Sequence, residues 1–225
     1  MSDLALIVSI LPALIIAVLV YVYVDKYEKE PTGQVVLTFF IGVGLSLLAY
    51  FIEEFIHTHH PDYGSNILLT FAYSFYGVSV PEELLKFLGV MTIPFRSKHF
   101  NEPIDGIIYT VMLGMGFATL ENILYGYTYG LETIVVRSFT AVPAHGIFAI
   151  LMGYYVGKFK FGYLNLSGLI KGMLLVLVFH SAYDFFIIQH ISDVLLLGSL
   201  VVLALGIVLS VRLAKGLQQL SPFKI

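Results

Sequence analysis

Apolar runs long enough to cross a bilayer recur along almost the whole of this 225-residue sequence. A hydrocarbon core of roughly 30 Å takes about 20 apolar residues in an α-helix. Hydrophobic residues make up 58% of the chain and charged residues only 12%, so no stretch remains from which a soluble domain could be built. The sequence therefore predicts an all-α polytopic membrane protein, with residues 1–225 forming a single membrane-embedded domain.

Breaks in hydrophobicity divide the chain into seven apolar segments. The third segment, residues 66–95, is unusual because as a straight helix it would be about 45 Å long. It contains Pro81, which removes a helical donor and clashes with the preceding turn. We expect a bundle of about seven transmembrane helices, or eight if the third segment is split, with the third span kinked or broken near Pro81. The breaks lie at residues 25–32, 57–65, 96–103, 128–131, 158–163 and 189–191.

Basic residues favour one orientation of this bundle. They fall in alternate connections between spans and in the tail, whereas the intervening connections contain none. Because short cytoplasmic loops collect lysine and arginine, we expect the N-terminus outside and the C-terminus in the cytoplasm. The basic residues concerned are Lys26, Lys29, Arg96, Lys98, Lys158, Lys160, Arg212, Lys215 and Lys224.

Charge and cysteine content exclude other classes of protein. The net charge is −3, from 12 basic and 15 acidic residues, with neither a polybasic nor an acidic tail, so the expected partner is the lipid bilayer and not nucleic acid. The chain has no cysteine, which excludes disulfides and thiolate chemistry.

Ionisable residues inside the predicted spans are the main indication of function. Such a residue costs several kcal/mol in a bilayer unless it is paired, neutralised or hydrated. The helical rise places the six residues concerned at similar depths, between the bilayer centre and the outer face. We therefore expect them to share one cavity. They are Glu82, Glu83, Glu121, His145, His180 and Asp184.

Two of these residues have a partner four positions away, on the same helix face. Lys86 follows Glu82 at this spacing and can hold a carboxylate ionised. Asp184 follows His180 and can fix the orientation of the imidazole. Each pair alone could also be a structural ion pair or an interhelical tie. A set spread over four spans is harder to explain as structural contacts alone.

Other polar residues are weaker candidates. Glu53 and Glu54 lie at the end of the second span, where an interfacial position is expected. Arg137 is expected to anchor the fifth span, although it could reach a substrate carbonyl. A loop that could bind a metal is better interpreted as a solvated polar loop; its polar residues are His57, His59, His60 and Asp62.

Three motifs in this order resemble those of the PrsW family. They are EExxK in residues 82–86, FxxxE in residues 117–121 and HxxxD in residues 180–184, and the resemblance covers almost the full length. Members are bacterial intramembrane proteases that cut a single-span anti-sigma factor on its extracytoplasmic side to start a stress response. The resemblance implies a multi-pass plasma-membrane protease with that class of substrate. It also adds Asn122 to Lys86 as a supporting residue.

The PrsW family is similar in turn to CAAX-type prenyl endopeptidases and to the APH-type scaffold subunit of gamma-secretase. In the endopeptidases a glutamate and a histidine are thought to activate water, while a histidine and an asparagine stabilise the oxyanion. This sequence departs from that pattern, with Glu121 in place of histidine and Asp184 in place of asparagine. The scaffold has no known proteolytic role.

One catalytic hypothesis uses side chains alone to hydrolyse a peptide bond. Glu82 or Glu83 would be the general base on a water molecule, and Glu121 would share or steer the proton. His180, oriented by Asp184, would stabilise the oxyanion.

A second hypothesis is a divalent metal such as zinc. Glu83, Glu121, His145 and His180 would supply oxygen and nitrogen ligands. The sequence has no HExxH motif and does not decide between the two catalytic hypotheses.

The alternative class of function is a non-catalytic scaffold or a proton-coupled carrier. The sequence has no internal repeat that would support a carrier.

Overall fold

The computed structural model describes residues 2–59, 64 and 66–224, and this part of the chain is helical with no strand. The expected all-α architecture is confirmed. The α-helices are α1 (Asp3–Tyr23), α2 (Thr32–His59), α3 (Ile67–Ala72), α4 (Val80–Thr92), α5 (Asp105–Tyr129), α6 (Leu131–Phe139), α7 (Ala141–Lys160), α8 (Leu166–Ile188) and α9 (Leu197–Gln218).

Six stretches within the described ranges are long and apolar enough to cross a membrane, with α6 and α7 counted together. The remaining apolar segment, the third in the sequence, corresponds to residues 67–92, which are helical throughout but change from α-helix to π-helix and back. The span count therefore agrees with the expected bundle of about seven. Of the polar loop after the second span, His57 and His59 end α2, while His60 and Asp62 lie outside the described residues.

The third span is irregular before Pro81 and not at it. Between α3 and α4 the chain forms a π-helical turn, Tyr73–Ser79, and the Val80 N–H bonds to the Phe75 carbonyl. Pro81 follows in the first turn of α4 and has no N–H to bond to the preceding turn, which accords with an irregular turn just before it. Such π-helical turns are frequent at functional sites. This one delivers Glu82 and Glu83 at the start of a new α-helix.

Helix α5 runs through the centre of the bundle, with α1, α2 and α7 packed around it. Residues 105–119 are all buried. Glycines allow this close packing, because a Cβ on Gly116 would overlap the Phe39 carbonyl of α2 and one on Gly153 would overlap the Gly106 carbonyl of α5. The outward faces of α1, α2 and α9 expose leucine, isoleucine, valine and phenylalanine, as expected for lipid contact.

Candidate active site

The first turn of α4 carries two buried carboxylates that share one ammonium group. Glu82 and Glu83 are 2% and 1% exposed, and Lys86 is 4% exposed. Lys86 Nζ lies 2.7 Å from Glu82 Oε2 and 2.8 Å from Glu83 Oε1. It also lies 3.1 Å from His145 Nδ1, a residue of α7. Lys86 therefore pairs with both carboxylates, not only with Glu82 at the (i, i+4) spacing.

On α8, His180 lies between two carboxylates. Its Nδ1 is 2.8 Å from Glu83 Oε1, and its Nε2 is 3.1 Å from Asp184 Oδ2. The ring stacks on Phe148 of α7, with centroids 4.6 Å apart. A doubly protonated imidazole can donate to both carboxylates at once. The predicted pair of His180 and Asp184 is present and joins α8 to α4 through Glu83.

Glu121 of α5 is held by two partners on different helices. Its Oε2 lies 2.6 Å from His145 Nε2, and its Oε1 lies 2.7 Å from Arg137 Nη2. Arg137, on α6, also donates from Nε to Asn122 Oδ1 at 3.0 Å and lies 3.7 Å above the Tyr125 ring. Arg137 thus fixes the position of Glu121. The sequence predicted only that Arg137 anchors its helix. Nothing in the sequence indicated this pairing, because the two residues lie on separate helices.

These contacts join the six predicted residues into one network across α4, α5, α7 and α8. Lys86 links the carboxylates of α4 to His145, and His145 links them to Glu121. Asn122 connects through Arg137. The sequence predicted that these six residues lie at similar depths in the bilayer. In the folded chain they are joined by direct contacts.

Two cavities open onto this network. The larger one has a volume of about 630 Å³ and is bordered by five of the six predicted residues. The smaller one, of about 240 Å³, is bordered by Glu82 and Glu121. Glu83 borders neither cavity and is enclosed by Lys86 and His180. Glu82 and Glu121 are therefore the carboxylates that a substrate entering either cavity would meet.

Glu53 of α2 also borders both cavities, although its place in the sequence predicted an interfacial side chain. Its Oε1 atom is buried and has no hydrogen-bond partner among the described residues. The helix continues to His59, which places Glu53 more than a turn inside the end of α2. Glu53 therefore adds a carboxyl group to the cavity wall that the sequence did not place there.

The site has the donors that a divalent metal requires. Among the described residues, two groups bring their ligand atoms within 4.8 Å of one another, and Glu82 belongs to both. The oxygen and nitrogen donors suit zinc, and Glu83 Oε2 is buried without a hydrogen-bond partner. The donor set expected from sequence did not include Glu82. The two groups are Glu82, Glu121 and His145, and Glu82, Glu83 and His180.

Comparison with known proteins identifies the family of the whole chain. Residues 30–211 match the family described as PrsW family intramembrane metalloprotease. Protease PrsW of Bacillus subtilis is 36% identical over 178 residues, covering 76% of this chain and 77% of the relative. Protease PrsW of Oceanobacillus iheyensis is 34% identical over 197 residues, covering 87% and 88%. No solved structure matches. Because the family model matches residues 30–211 and these relatives match about three quarters or more of its length, the chain belongs to the PrsW family of intramembrane metalloproteases.

Proposed function

We propose that this peptidase hydrolyses a peptide bond in a single-span membrane protein of the anti-sigma-factor type. The observation that carries the proposal is the cavity of about 630 Å³ inside an apolar bundle, which is bordered by three of the predicted carboxylates and by both predicted histidines. A substrate anchored in the same bilayer can reach such a space sideways. Membership of a peptidase family favours this function over a scaffold or a proton-coupled carrier.

Glu82 is the better general base of the two adjacent carboxylates. It borders both cavities, whereas Glu83 is enclosed. Glu121 can share the proton, because it reaches His145 at 2.6 Å and His145 in turn reaches Lys86 at 3.1 Å. Proton transfer by positioned groups of this kind contributes about 10²–10⁴-fold to a reaction rate.

Arg137 is suited to stabilising the oxyanion. Both ring nitrogens of His180 already face carboxylates, which leaves no imidazole N–H free in this arrangement. Arg137 borders the larger cavity and has five N–H donors, of which the contacts to Asn122 and Glu121 use only some. His180 then serves to hold Glu83 and Asp184 in place.

A divalent metal such as zinc would be held by Glu82, Glu121 and His145, since all three border the larger cavity whereas Glu83 does not. Such an ion polarises a carbonyl and lowers the pKa of a water molecule. Lys86 lies among the same donors and offsets part of their negative charge.

The proposed test of activity uses purified protein and a tagged single-span substrate. Glu82→Gln and Glu121→Gln should each lower cleavage by about 100-fold or more, while Asp193→Asn, an exposed residue outside both cavities, should cleave normally. Unchanged cleavage by both glutamine variants would refute the assignment. Full activity after removal of all metal would refute the metal-dependent version.

The proposed setting is a bacterial plasma membrane, with the N-terminus outside and the C-terminus in the cytoplasm. The site then lies in the outer half of the bilayer, which matches cleavage on the extracytoplasmic side. Because the chain has no cysteine, Ser2→Cys and Lys224→Cys can each be labelled in whole cells. A membrane-impermeant thiol reagent should label only the first variant, and the reverse pattern would overturn the orientation.

A further inference from the structure

A second group of buried carboxylates lies at the other end of α5. Asp105 begins this helix and Glu121 is 16 residues further on, a separation of about 24 Å along the axis. Asp25, Glu30, Glu102 and Asp105 are each at most 1% exposed. With the half-buried Glu28 they form what we call the Asp105 cluster, between the α1–α2 connection and the start of α5.

The Asp105 cluster has no cationic partner among the described residues. The two lysines near it bond to backbone carbonyls and not to carboxylates. Lys29 Nζ lies 2.6 Å from the Tyr21 oxygen, and Lys160 Nζ lies 2.5 Å from the Phe95 oxygen. The negative charge of the cluster is therefore not balanced by direct ion pairs.

Backbone N–H groups satisfy some of the carboxylate oxygens. Asp25 Oδ2 accepts from the Glu30 N–H at 2.9 Å. Asp105 Oδ2 accepts from the N–H groups of Asn101 and Glu102, each at 2.8 Å. These backbone bonds give the carboxylates of Asp25 and Asp105 a structural role, but they use only one oxygen of each carboxylate. Among the residues that the structure describes, no hydrogen-bond partner is found for five buried oxygens: Asp25 Oδ1, Glu30 Oε1, Glu102 Oε1, Glu102 Oε2 and Asp105 Oδ1.

Glu30 and Asp105 lie in contact with each other. The Tyr109 hydroxyl donates to Glu30 Oε2, and Asp105 lies one helical turn before Tyr109 on α5, so the Glu30 carboxyl group is held beside that of Asp105 and interacts with it. Two ionised carboxylates can only accept, so a bond between them requires a proton on one. Burial raises the pKa of Glu30 to about 7 and also raises the pKa of Asp25 and Glu102.

We propose that Glu30 and Asp105 form a proton-binding site, in which one proton shared between the two carboxyl groups joins the start of α2 to the start of α5. A bound metal is disfavoured, because no three carboxylates of the cluster bring ligand atoms within 4.8 Å, whereas the active site does so twice among the described residues. Loss of the proton places two like charges in contact, so this end of the bundle loosens as pH rises.

The other groups that face the pair come from every neighbouring element. Ser221 lies beside Glu102 near the C-terminal end of the chain. The remaining titratable groups are Asp25, Glu28 and Lys29 of the α1–α2 connection, Glu102 and Tyr109 beside the start of α5, and Lys160 at the end of α7.

Infrared spectroscopy of the full chain in detergent tests the shared proton directly, since a protonated carboxyl group has its own C=O stretching band. The wild-type protein should show such a band at about pH 6 and should lose it as the pH is raised further, because burial raises the pKa of Glu30. Glu30→Gln and Asp105→Asn should each remove it. Glu28→Gln, in the same connection, should keep it.

Two outcomes overturn the proposal. One is a band retained in both Glu30→Gln and Asp105→Asn, which would place the proton elsewhere. The other is a wild-type protein without the band at about pH 6 whose carboxylate spectrum shifts on adding Mg²⁺ or Ca²⁺, which would make the cluster a cation site. The wild-type titration stands even if a variant fails to fold, and none of these readouts depends on proteolysis.

Discussion

The two ends of α5 hold buried carboxylates in different ways. At the active site, Lys86 pairs with Glu82 and Glu83, and Arg137 pairs with Glu121. In the Asp105 cluster, backbone N–H groups and the Tyr109 hydroxyl are the hydrogen-bond donors, and no cation of the described chain forms an ion pair there. One end is neutralised by fixed cations and the other, we infer, by a proton.

This difference suits the two ends to different tasks. A carboxylate held by a buried lysine or arginine keeps its charge over a wide pH range, because protonating it would leave the cation unpaired. Such a group can serve as a base or a metal ligand. A carboxyl group neutralised by a proton responds to pH instead, so its contribution to stability changes near neutrality.

The largest expected effect comes from removing the central cation. Lys86→Met removes the ammonium group that Glu82 and Glu83 share and leaves their buried charge without a lysine partner, and we expect it to abolish cleavage and to lower the free energy of unfolding by about 3–5 kcal/mol. Denaturant unfolding of the purified protein in detergent measures the loss. Lys29→Met is the matched control at the other end. Its exposed ammonium bonds only to carbonyls, so a loss below about 1 kcal/mol is expected.

The double variant Lys86→Met/Glu83→Gln sharpens this result. If an unpaired charge causes the loss, removing one carboxylate should recover part of the stability, and the two changes should not add. Strict additivity would mean that Lys86 stabilises the protein by packing alone.

The next effect is the pH dependence of stability at the Asp105 cluster. The pKa of Glu30 is about 7 in the folded chain and 4.5 as its ordinary value, so between these values the folded state binds more protons than the unfolded state. Stability should therefore fall as pH rises through this window, by on the order of 2–3 kcal/mol in total. Unfolding measured across the window should show this slope in Glu83→Gln but not in Glu30→Gln. A slope that persists in Glu30→Gln would assign the proton to another group.

Contacts within one helix were predictable from the sequence. The pairs Glu82 with Lys86 and His180 with Asp184 follow from a spacing of four residues, and both are present at 2.7 Å and 3.1 Å. The irregular third span followed from its length and from Pro81. Helical spacing and the hydrophobic pattern are local properties, so they are readable without knowing how the helices pack.

Contacts between helices were not predictable in the same way. The pairing of Arg137 with Glu121 depends on how α6 packs beside α5. The contact of Glu30 with Asp105 joins residues 75 positions apart in the chain. Glu53 was placed at the membrane interface, and only the packing of α2 against α5 shows that it borders the cavities. The hydrophobic pattern predicts spans but does not specify which polar faces meet.

A smaller effect on catalysis is expected from Asp184→Asn. The amide keeps the shape of the side chain but removes the negative charge beside His180 Nε2, 3.1 Å away. Carboxylates that orient a functional histidine typically contribute 10–100-fold, so kcat/KM for the tagged substrate should fall by about that factor while the protein stays folded. Asp105→Asn is the counterpart at the other end and should leave kcat/KM unchanged. Equal losses in both variants would mean that the two ends are not independent.

The smallest expected effect is that of Lys160→Met, which tests a cation that lies near the Asp105 cluster without forming an ion pair with it. Lys160 Nζ lies 4.2 Å from the centre of the Phe100 ring and bonds to the Phe95 carbonyl, and contacts of this kind contribute about 0.5–1 kcal/mol. Its charge also acts on Asp105 and Glu30. We therefore expect a loss of about 1 kcal/mol or less at about pH 8 and a smaller loss at about pH 5, where the carboxyl groups are protonated. Unfolding measured at both pH values checks this, and a loss as large as that of Lys86→Met would show that the cluster is held by a cation after all.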